Sequence, residues 1–146
     1  MPTALTLPNQ AATEALAASL ASQVRPGDVI LLEGPLGDGK TTFARAFLRA
    51  ITNAPTLDVP SPTFTLVQTY DTPKGPVFHY DLWRIDGPGA LAELDWDTAL
   101  DAITLVEWPD RLRDQRPQDA LTITFTLADG DSRLATITGW PERPLA

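Results

Sequence analysis

The hydrophobic pattern of the first third of the chain predicts a helix, a buried strand and a second helix. Leu16, Leu20 and Val24 recur at helical spacing after Asn9, a residue type that favours helix N-caps. The unbroken apolar run at 29–32 is typical of a parallel strand covered on both faces. Apolar side chains then return at helical spacing, at Phe43, Ala46, Phe47 and Ala50. This order of elements predicts the beginning of an α/β domain.

The rest of the chain predicts two hairpins and a further buried strand. Residues 65–70 and 76–81 flank the sequence DTPKG and predict a β-hairpin with a loop of about five residues. The sequence DAITLVEW at 101–108 predicts another buried strand, and Pro109 is suited to open a short helix. Strict alternation on both sides of a turn within 121–140 predicts the second hairpin.

The strongest chemical signal is the stretch EGPLGDGKTT, which joins the first buried strand to the second helix. It has the spacing of a phosphate-binding loop, a glycine, four residues and then Gly-Lys-Thr. Such a loop wraps backbone N–H groups around phosphate oxygens, and the helix N-terminus adds its positive dipole end. Lys40 would reach the outer phosphates, and the Thr41 hydroxyl would bind Mg²⁺. The predicted loop contacts are Gly34, Gly37, Asp38, Gly39, Lys40, Thr41 and Thr42.

Together, the loop and the strand pattern predict a P-loop NTPase-like α/β fold with a mixed, partly antiparallel sheet. We expect a single domain over residues 1–146, with a polar, helix-favouring stretch at 86–100 and a loose tail at 141–146. The chain has no cysteine and no signal-peptide pattern. No apolar run approaches the roughly 18 residues of a membrane span. The sequence therefore predicts a cytoplasmic protein without a membrane partner.

The charge balance argues against a protein that grips RNA on its own. The chain carries 19 acidic and 11 basic residues, for a formal net charge of −8. Phosphate contacts from Lys and Arg supply most of the affinity for RNA, so an RNA-binding surface is normally basic. The acidic excess is sharpest between Asp81 and Asp110, where Arg84 is the only basic residue. Most of these carboxylates fit a solvated surface, and any that face a nucleotide require Mg²⁺ between carboxylate and phosphate.

Two carboxylates are candidates for that Mg²⁺ site because each lies at the end of a predicted strand. Glu107 follows the apolar run of the second buried strand, and Asp81 ends the first hairpin. A hydrolytic phosphate loop needs such an acid to hold Mg²⁺ directly or through water. A helix cap or a solvated charge is the alternative for each. If both acids line the site, metal and Lys40 must relieve their repulsion.

Three further features each have a functional and a structural interpretation. His79, the only histidine, shares a strand face with Asp81 and is either a proton shuttle or a packed core side chain. Arg84 is either an internal arginine finger or an ion-pair partner. The SPTF segment, with Ser61 and Thr63, is either a switch-like loop that senses the outermost phosphate or a plain connection. Trp108 draws attention because it follows Glu107.

Four segments, in this order, closely resemble the TsaE family: GPLGDGKTT, VPSPTFTLVQTY, HYDLWRI and LVEWPD. The resemblance covers nearly the whole chain, and the ordered combination is highly specific. TsaE proteins are small bacterial ATPases required for making threonylcarbamoyladenosine in tRNA. The resemblance implies ATP and Mg²⁺ as cofactors. It implies Lys40, Asp81 and Glu107 as catalytic residues, and Thr41, Asp81 and Glu107 at the metal.

The resemblance also implies where the adenine and the partner proteins belong. The adenine is expected near Asn9 and Gln10, beside the last hairpin, where Arg133 is a candidate contact. Family members act with a TsaD-type catalytic subunit and a TsaB-type paralogue, and ATP hydrolysis is thought to reset that assembly. Strong direct tRNA binding is not expected of this acidic chain, because the partners can carry the basic surface.

Three positions depart from the family pattern. Pro35 stands where an acidic residue is usual and removes one backbone donor, and Asp38 replaces a small residue and brings a negative charge near the phosphates. We expect nucleotide binding to survive, because Pro35 precedes residues 37–41, whose backbone N–H groups surround the phosphates. Trp83 stands where a tyrosine is common in the family. This substitution keeps an aromatic ring but loses the hydroxyl.

Two other functions remain open from the sequence. A small-molecule kinase would need a lid that usually carries several arginines, and no segment offers a larger cluster than RLRDQR. A nucleotide-binding adaptor without hydrolysis would make Asp81 and Glu107 merely structural. No Asn-Lys-x-Asp guanine signature is present, which favours ATP over GTP.

Overall fold

The fold is described from a computed structural model that covers residues 3–34, 39–60, 62, 64–128, 130 and 132–140. Within these residues, the strands are β1 (Thr3–Leu7), β2 (Val29–Glu33), β3 (Val67–Thr72), β4 (Gly75–Asp81), β5 (Ile103–Glu107), β6 (Leu121–Leu127) and β7 (Arg133–Thr138). The helices are α1 (Gln10–Gln23), α2 (Lys40–Ile51) and α3 (Trp96–Ala99), with 3₁₀ segments at Pro88–Leu94 and Pro109–Gln115.

All seven described strands join one sheet in the order β1-β7-β6-β2-β5-β4-β3. The centre is parallel, since β2 pairs with both β5 and β6, and β5 pairs with β4. The edges are antiparallel, through β3 with β4, β6 with β7, and β1 with β7. The predicted mixed, partly antiparallel α/β sheet is therefore confirmed. The parallel centre aligns the carboxyl ends of β2, β4 and β5 at one edge.

The helices α1 and α2 cover one face of the sheet. Leu20 of α1 and Phe47 of α2 are fully buried with Ile30, Leu105 and Ile123 from the central strands. The Phe43 ring lies between two others, with its centroid 6.2 Å from that of Phe47 and 5.9 Å from that of Phe125. This packing holds the beginning of α2 against the end of β6, and so fixes where the chain enters α2.

The opposite face is covered by the 3₁₀ segments and α3. The Tyr80 hydroxyl donates to the Leu94 carbonyl at 2.6 Å, and the Trp96 ring lies edge-on to Tyr80 with centroids 5.2 Å apart. Burial, together with the charge of Asp95, raises the pKa of the Tyr80 phenol above its usual value of 10.0. The phenol therefore stays protonated and tethers the Pro88–Leu94 segment to β4. The polar stretch 86–100 forms two short helical pieces, consistent with its helix-favouring composition.

Both ends of α1 are capped by side chains. The Asn9 side chain accepts a hydrogen bond from the Ala12 N–H at 2.9 Å, which confirms the predicted N-cap. At the other end, Lys74 Nζ donates to the carbonyls of Ala21, Ser22 and Val24 at 3.1, 2.8 and 2.9 Å. These carbonyls belong to the last turn of the helix, where a cation is favourable.

Two details of the sheet differ from the sequence prediction. The β3–β4 hairpin pairs Thr72 with Gly75, so its loop is Pro73 and Lys74 and not the five residues predicted. Gly75 has a positive φ of 99°, which lets the strand begin directly after the turn. The edge strand β1 was not predicted, because its residues are mostly exposed and show no alternating pattern. No helix in the described ranges is both long and apolar enough to cross a membrane.

Candidate nucleotide-binding site

The site lies where the parallel strands end, at the edge of the sheet where α/β proteins place their ligands. Asp81, the last residue of β4, is the direct neighbour of Glu107, the last residue of β5. Glu107 is in turn opposite Leu32 of β2. The chain leaves β2 one residue later and enters the phosphate loop. The register therefore places both predicted carboxylates beside the beginning of the loop.

Two glycines shape the ends of the loop. Gly34 has a φ of 137°, and a Cβ added there would lie 2.7 Å from the Phe125 carbonyl oxygen. Gly39 has a φ of 102° and is the N-cap of α2, without a side-chain cap from the described residues. Both positions require glycine because the left-handed backbone excludes other residues. The first N–H groups of α2 are thus left for a ligand, as in helix N-termini that bind anions.

Lys40 is buried at the first position of α2, with an exposed fraction of 3%. Its ammonium group donates a hydrogen bond to the Gly34 carbonyl and lies 3.5 Å from the centroid of the Trp108 ring. The Trp108 ring contacts that of Trp83, with centroids 4.4 Å apart. Trp108, singled out by its position after Glu107, therefore forms part of the wall around the lysine. A face-on aromatic ring stabilises a cation without neutralising it.

The two carboxylates are both buried, with exposed fractions of 5% for Asp81 and 4% for Glu107. Asp81 Oδ1 accepts a hydrogen bond from the Trp83 N–H at 3.0 Å, which fixes the chain as it leaves β4. Glu107 Oε2 lies 2.7 Å from Nε2 of His79. Burying a carboxylate costs free energy unless it is paired or hydrogen-bonded. The helix-cap and solvated-surface interpretations are therefore wrong for both residues.

His79 is a packed strand side chain that also contacts the site. It is 1% exposed and lies on β4 two residues before Asp81. The prediction that it shares the face of Asp81 agrees with its contact to Glu107 on the neighbouring strand. The sequence offered packing or proton transfer as alternatives, and neither predicted a hydrogen bond to the second carboxylate.

A cavity of about 230 Å³ opens beside the loop. Its lining residues are Asn9, Gln10, Thr13, Gly39, Thr42 and Arg133. Five of these six were predicted nucleotide contacts, from three separate parts of the chain. Thr13 was missed, although it follows Asn9 by one helical turn and so projects from the same face of α1. Thr41 is exposed in the first turn of α2, outside the group of residues that lines this cavity.

The segment after α2 reaches the site through its backbone. The Leu66 N–H donates to the Pro62 carbonyl at 2.6 Å, and the Asp81 N–H donates to the Leu66 carbonyl at 3.0 Å. Phe64 is 82% exposed, and the Arg84 guanidinium lies 5.0 Å from the centroid of its ring. That contact was predicted neither by the arginine-finger nor by the ion-pair interpretation of Arg84. Four predicted residues, Gly37, Asp38, Ser61 and Thr63, and the predicted tail 141–146 lie outside the described residues.

An ion pair that was not predicted holds the strand before the loop. Glu33, the last residue of β2, accepts from Arg116 Nη2 at 2.9 Å through Oε2 and from the Thr124 hydroxyl at 3.0 Å through Oε1. Both donors come from the 3₁₀–β6 side of the sheet. The backbone therefore leaves β2 in a fixed direction just before Gly34. A glutamate before a glycine gave no sequence signal for this contact.

The donor set fits Mg²⁺ held together with a nucleotide. Mg²⁺ is usually bound by one or two carboxylates plus substrate phosphates, rather than by a cage of protein side chains. Asp81 and Glu107 are neighbouring carboxylates, and Thr41 supplies a hydroxyl at the beginning of α2. Among the described residues, no group of three or more His, Cys, Asp or Glu side chains is placed to hold a metal ion alone.

The strand, glycine loop and helix around this site define an α/β protein of the P-loop-like class. A sequence model described as "Threonylcarbamoyl adenosine biosynthesis protein TsaE" matches residues 7–135. The chain belongs to the TsaE family.

Individual relatives give the same result. A "tRNA threonylcarbamoyladenosine biosynthesis protein TsaE" from Rickettsia bellii is 36% identical over 127 residues, which cover 86% of this chain and 88% of the relative. The protein of the same name from Bacillus subtilis is 37% identical over 130 residues, covering 89% and 81%. The crystal structure of Bacillus subtilis YdiB superposes with a TM-score of 0.75 at 30% identity and covers 95% of this chain and 86% of that one.

Proposed function

We propose that the protein is an Mg²⁺-dependent ATPase required for forming the threonylcarbamoyl group on adenosine in tRNA. The observation that carries the proposal is the convergence of Lys40, Asp81 and Glu107, all buried, beside a glycine loop that opens α2. Burying a charged side chain costs folding free energy. Buried charged groups therefore cluster at functional sites, where the chemistry needs them. The names of the relatives from Rickettsia bellii and Bacillus subtilis support a place for this activity in tRNA modification.

Each residue has a defined role in this proposal. The N–H groups at the beginning of α2 bind phosphate oxygens, and Lys40 turns from the Gly34 carbonyl to the outer phosphates. Thr41, Glu107 and Asp81 would hold Mg²⁺, and Asp81 would also orient the attacking water. When bound with ATP, the metal would supply positive charge against the phosphates. The hydrogen bond from the Trp83 N–H holds Asp81 in place for this task.

The cavity beside the loop is the proposed adenosine site. Asn9 and Gln10 offer amide groups that can both donate and accept, as the edge of adenine requires. Arg133 also lines the cavity and offers a planar guanidinium against which a base can stack. Gly39 connects this cavity to the phosphate loop, so one nucleotide can occupy both.

The partners in this proposal are a TsaD-type and a TsaB-type protein. ATP hydrolysis resets their assembly between turnovers, and the carbamoyl transfer occurs on the TsaD-type subunit. The net charge of −8 supports a chain that works through protein partners and leaves tRNA binding to them. This function places the protein in the cytoplasm.

Phosphate release from ATP tests the proposal, measured alone and with the two partner proteins. We expect weak turnover that rises with the pair and disappears in Lys40→Ala and Glu107→Ala. Lys74→Ala is the matched control, because Lys74 is the other lysine and its ammonium group donates to carbonyls at the far end of α1. If ATP binds but no mixture releases phosphate, the proposal that the protein hydrolyses ATP is overturned. A kinase without its acceptor or a binding adaptor would then account for the site.

A further inference from the structure

One buried contact has no role in the proposed function, the pair formed by His79 and Glu107. Nε2 of His79 lies 2.7 Å from Oε2 of Glu107, and the two side chains are almost completely inaccessible to solvent. Within the described part of the chain, this is the hydrogen bond that the Glu107 carboxylate makes. The contact bridges β4 and β5 at the level where the strands end.

The surroundings of the histidine ring determine where its proton is held. The other nitrogen, Nδ1, is buried and has no hydrogen-bond partner among the described residues. An ionised carboxylate can only accept, so the short contact requires a proton on Nε2. The opposite tautomer would bury an unsatisfied N–H at Nδ1 and set a lone pair against a carboxylate oxygen. The contact is therefore one in which Nε2 of His79 donates its N–H to Oε2 of Glu107.

We propose that His79 is a positioning residue that holds Glu107 Oε2, so that Oε1 is the oxygen presented to Mg²⁺. This inference rests on the proposed function, since it assigns an orientation to a carboxylate that we propose as a metal ligand. Carboxylates that ligate metals are themselves commonly hydrogen-bonded by an outer residue, which fixes their rotamer. The histidine has no freedom to leave, because β4 and the apolar side chains around it bury the ring.

The ring tautomer gives a test that needs neither nucleotide nor metal. His79 is the only histidine, so nitrogen-15 NMR spectra of its ring are assigned without ambiguity. We expect to find a proton on Nε2 in the wild-type protein. A proton on Nδ1, with none on Nε2, would overturn the inference, because the ring could not then donate to Glu107.

The Mg²⁺ dependence of ATP affinity tests the role itself, by calorimetry with and without Mg²⁺. His79→Leu removes the donor at similar size, and His79→Gln retains an N–H at a similar distance from the backbone. We expect His79→Leu to lose about 10- to 100-fold of the affinity gained from Mg²⁺, the usual effect of removing an outer-shell partner. His79→Gln should recover most of it. Affinity for ATP without Mg²⁺ should be unchanged in both variants.

Val77→Ala is the matched control for loss of packing. Val77 lies two residues before His79 on the same face of β4 and contacts the same apolar core. It should lower the melting temperature and leave the Mg²⁺ effect intact. If His79→Leu keeps the full Mg²⁺ effect of the wild type, the role of His79 is overturned and the proposed function stands. If the wild type shows no Mg²⁺ effect, the metal assignment of the proposed function fails, and this role fails with it.

Discussion

At the scale of single residues, burial separates the polar groups of the proposed site from the rest of an acidic surface. The buried polar side chains of the described residues are Thr13, Lys40, His79, Asp81, Thr104 and Glu107. Thr104 has a purely structural partner, since its hydroxyl donates to the Ala99 carbonyl at 2.7 Å. The other five contact the loop, the carboxylates or the cavity. Removing either His79 or Glu107 would leave the other side chain buried without its partner, which costs more than the net value of the pair.

Gly34→Ala tests the backbone requirement at the beginning of the loop. The new methyl would lie 2.7 Å from the Phe125 carbonyl oxygen at a φ of 137°. We expect the free energy of unfolding to fall by about 1–3 kcal/mol, measured by urea denaturation. The backbone at this φ is strained for alanine, and the methyl would clash with the Phe125 carbonyl oxygen. Gly89→Ala is the control, since no atom lies within 4 Å of its added Cβ. Equal stability of the two variants would contradict the assignment.

Tyr80→Phe tests the phenol that tethers Pro88–Leu94. Loss of the hydrogen bond to Leu94 should cost about 1 kcal/mol of unfolding free energy near pH 8. The folded-state pKa is raised above the unfolded value of 10.0, so the contribution is fully present below that pH. It is lost as the pH rises through the folded-state pKa. The difference between wild type and variant should therefore shrink at pH 11, and an unchanged difference would contradict the prediction.

At the scale of elements, the hairpin turn and α1 stabilise one another through Lys74. Lys74→Ala should lower the free energy of unfolding by about 1 kcal/mol, because the last-turn carbonyls of α1 lose a cationic donor. Chemical denaturation measures the change. ATP affinity should be the same as in the wild type, since the Lys74 ammonium group binds the opposite end of α1 from Asn9 and the cavity. A loss of ATP affinity without a loss of stability would contradict this assignment.

The helices and strands differ in how well the sequence predicts them. The β2, loop and α2 unit was predictable because buried parallel strands and amphipathic helices impose different apolar periods. The edge strand β1 was not, because an exposed strand needs no alternation, and its pairing with β7 depends on residues far along the chain. The contact of His79 with Glu107 depends on the register of β4 and β5, which periodicity alone cannot fix.

The cavity residues illustrate the limit of local patterns more sharply. Asn9 and Arg133 come from opposite ends of the sequence and meet only because β7 and α1 flank the same loop. The resemblance to a family, and not composition or spacing, predicted them. Thr13 lacked even that signal. Residues within one motif are thus predictable from physics, whereas residues gathered by topology require either the fold or a known relative.

At the scale of the whole molecule, charge determines the expected partners. With a net charge of −8, the isolated chain should bind tRNA only weakly, with a dissociation constant above about 10⁻⁶ M at physiological salt. A filter-binding titration over a range of salt concentrations measures this. Tight binding that weakens steeply with salt would indicate a basic surface that the composition does not predict, and would contradict a division of labour with partner proteins.

Binding of ATP with Mg²⁺ at the glycine loop is the claim on which the proposed function depends, and calorimetric titration tests it most directly. The wild type and Lys74→Ala should bind one ATP per chain with equal affinity. Lys40→Ala should bind about 10- to 100-fold more weakly, since a charged hydrogen bond to phosphate is worth about 1.5–3 kcal/mol. Equal affinity of Lys40→Ala and the wild type, or no binding by either, would contradict the assignment of this loop as the ATP site.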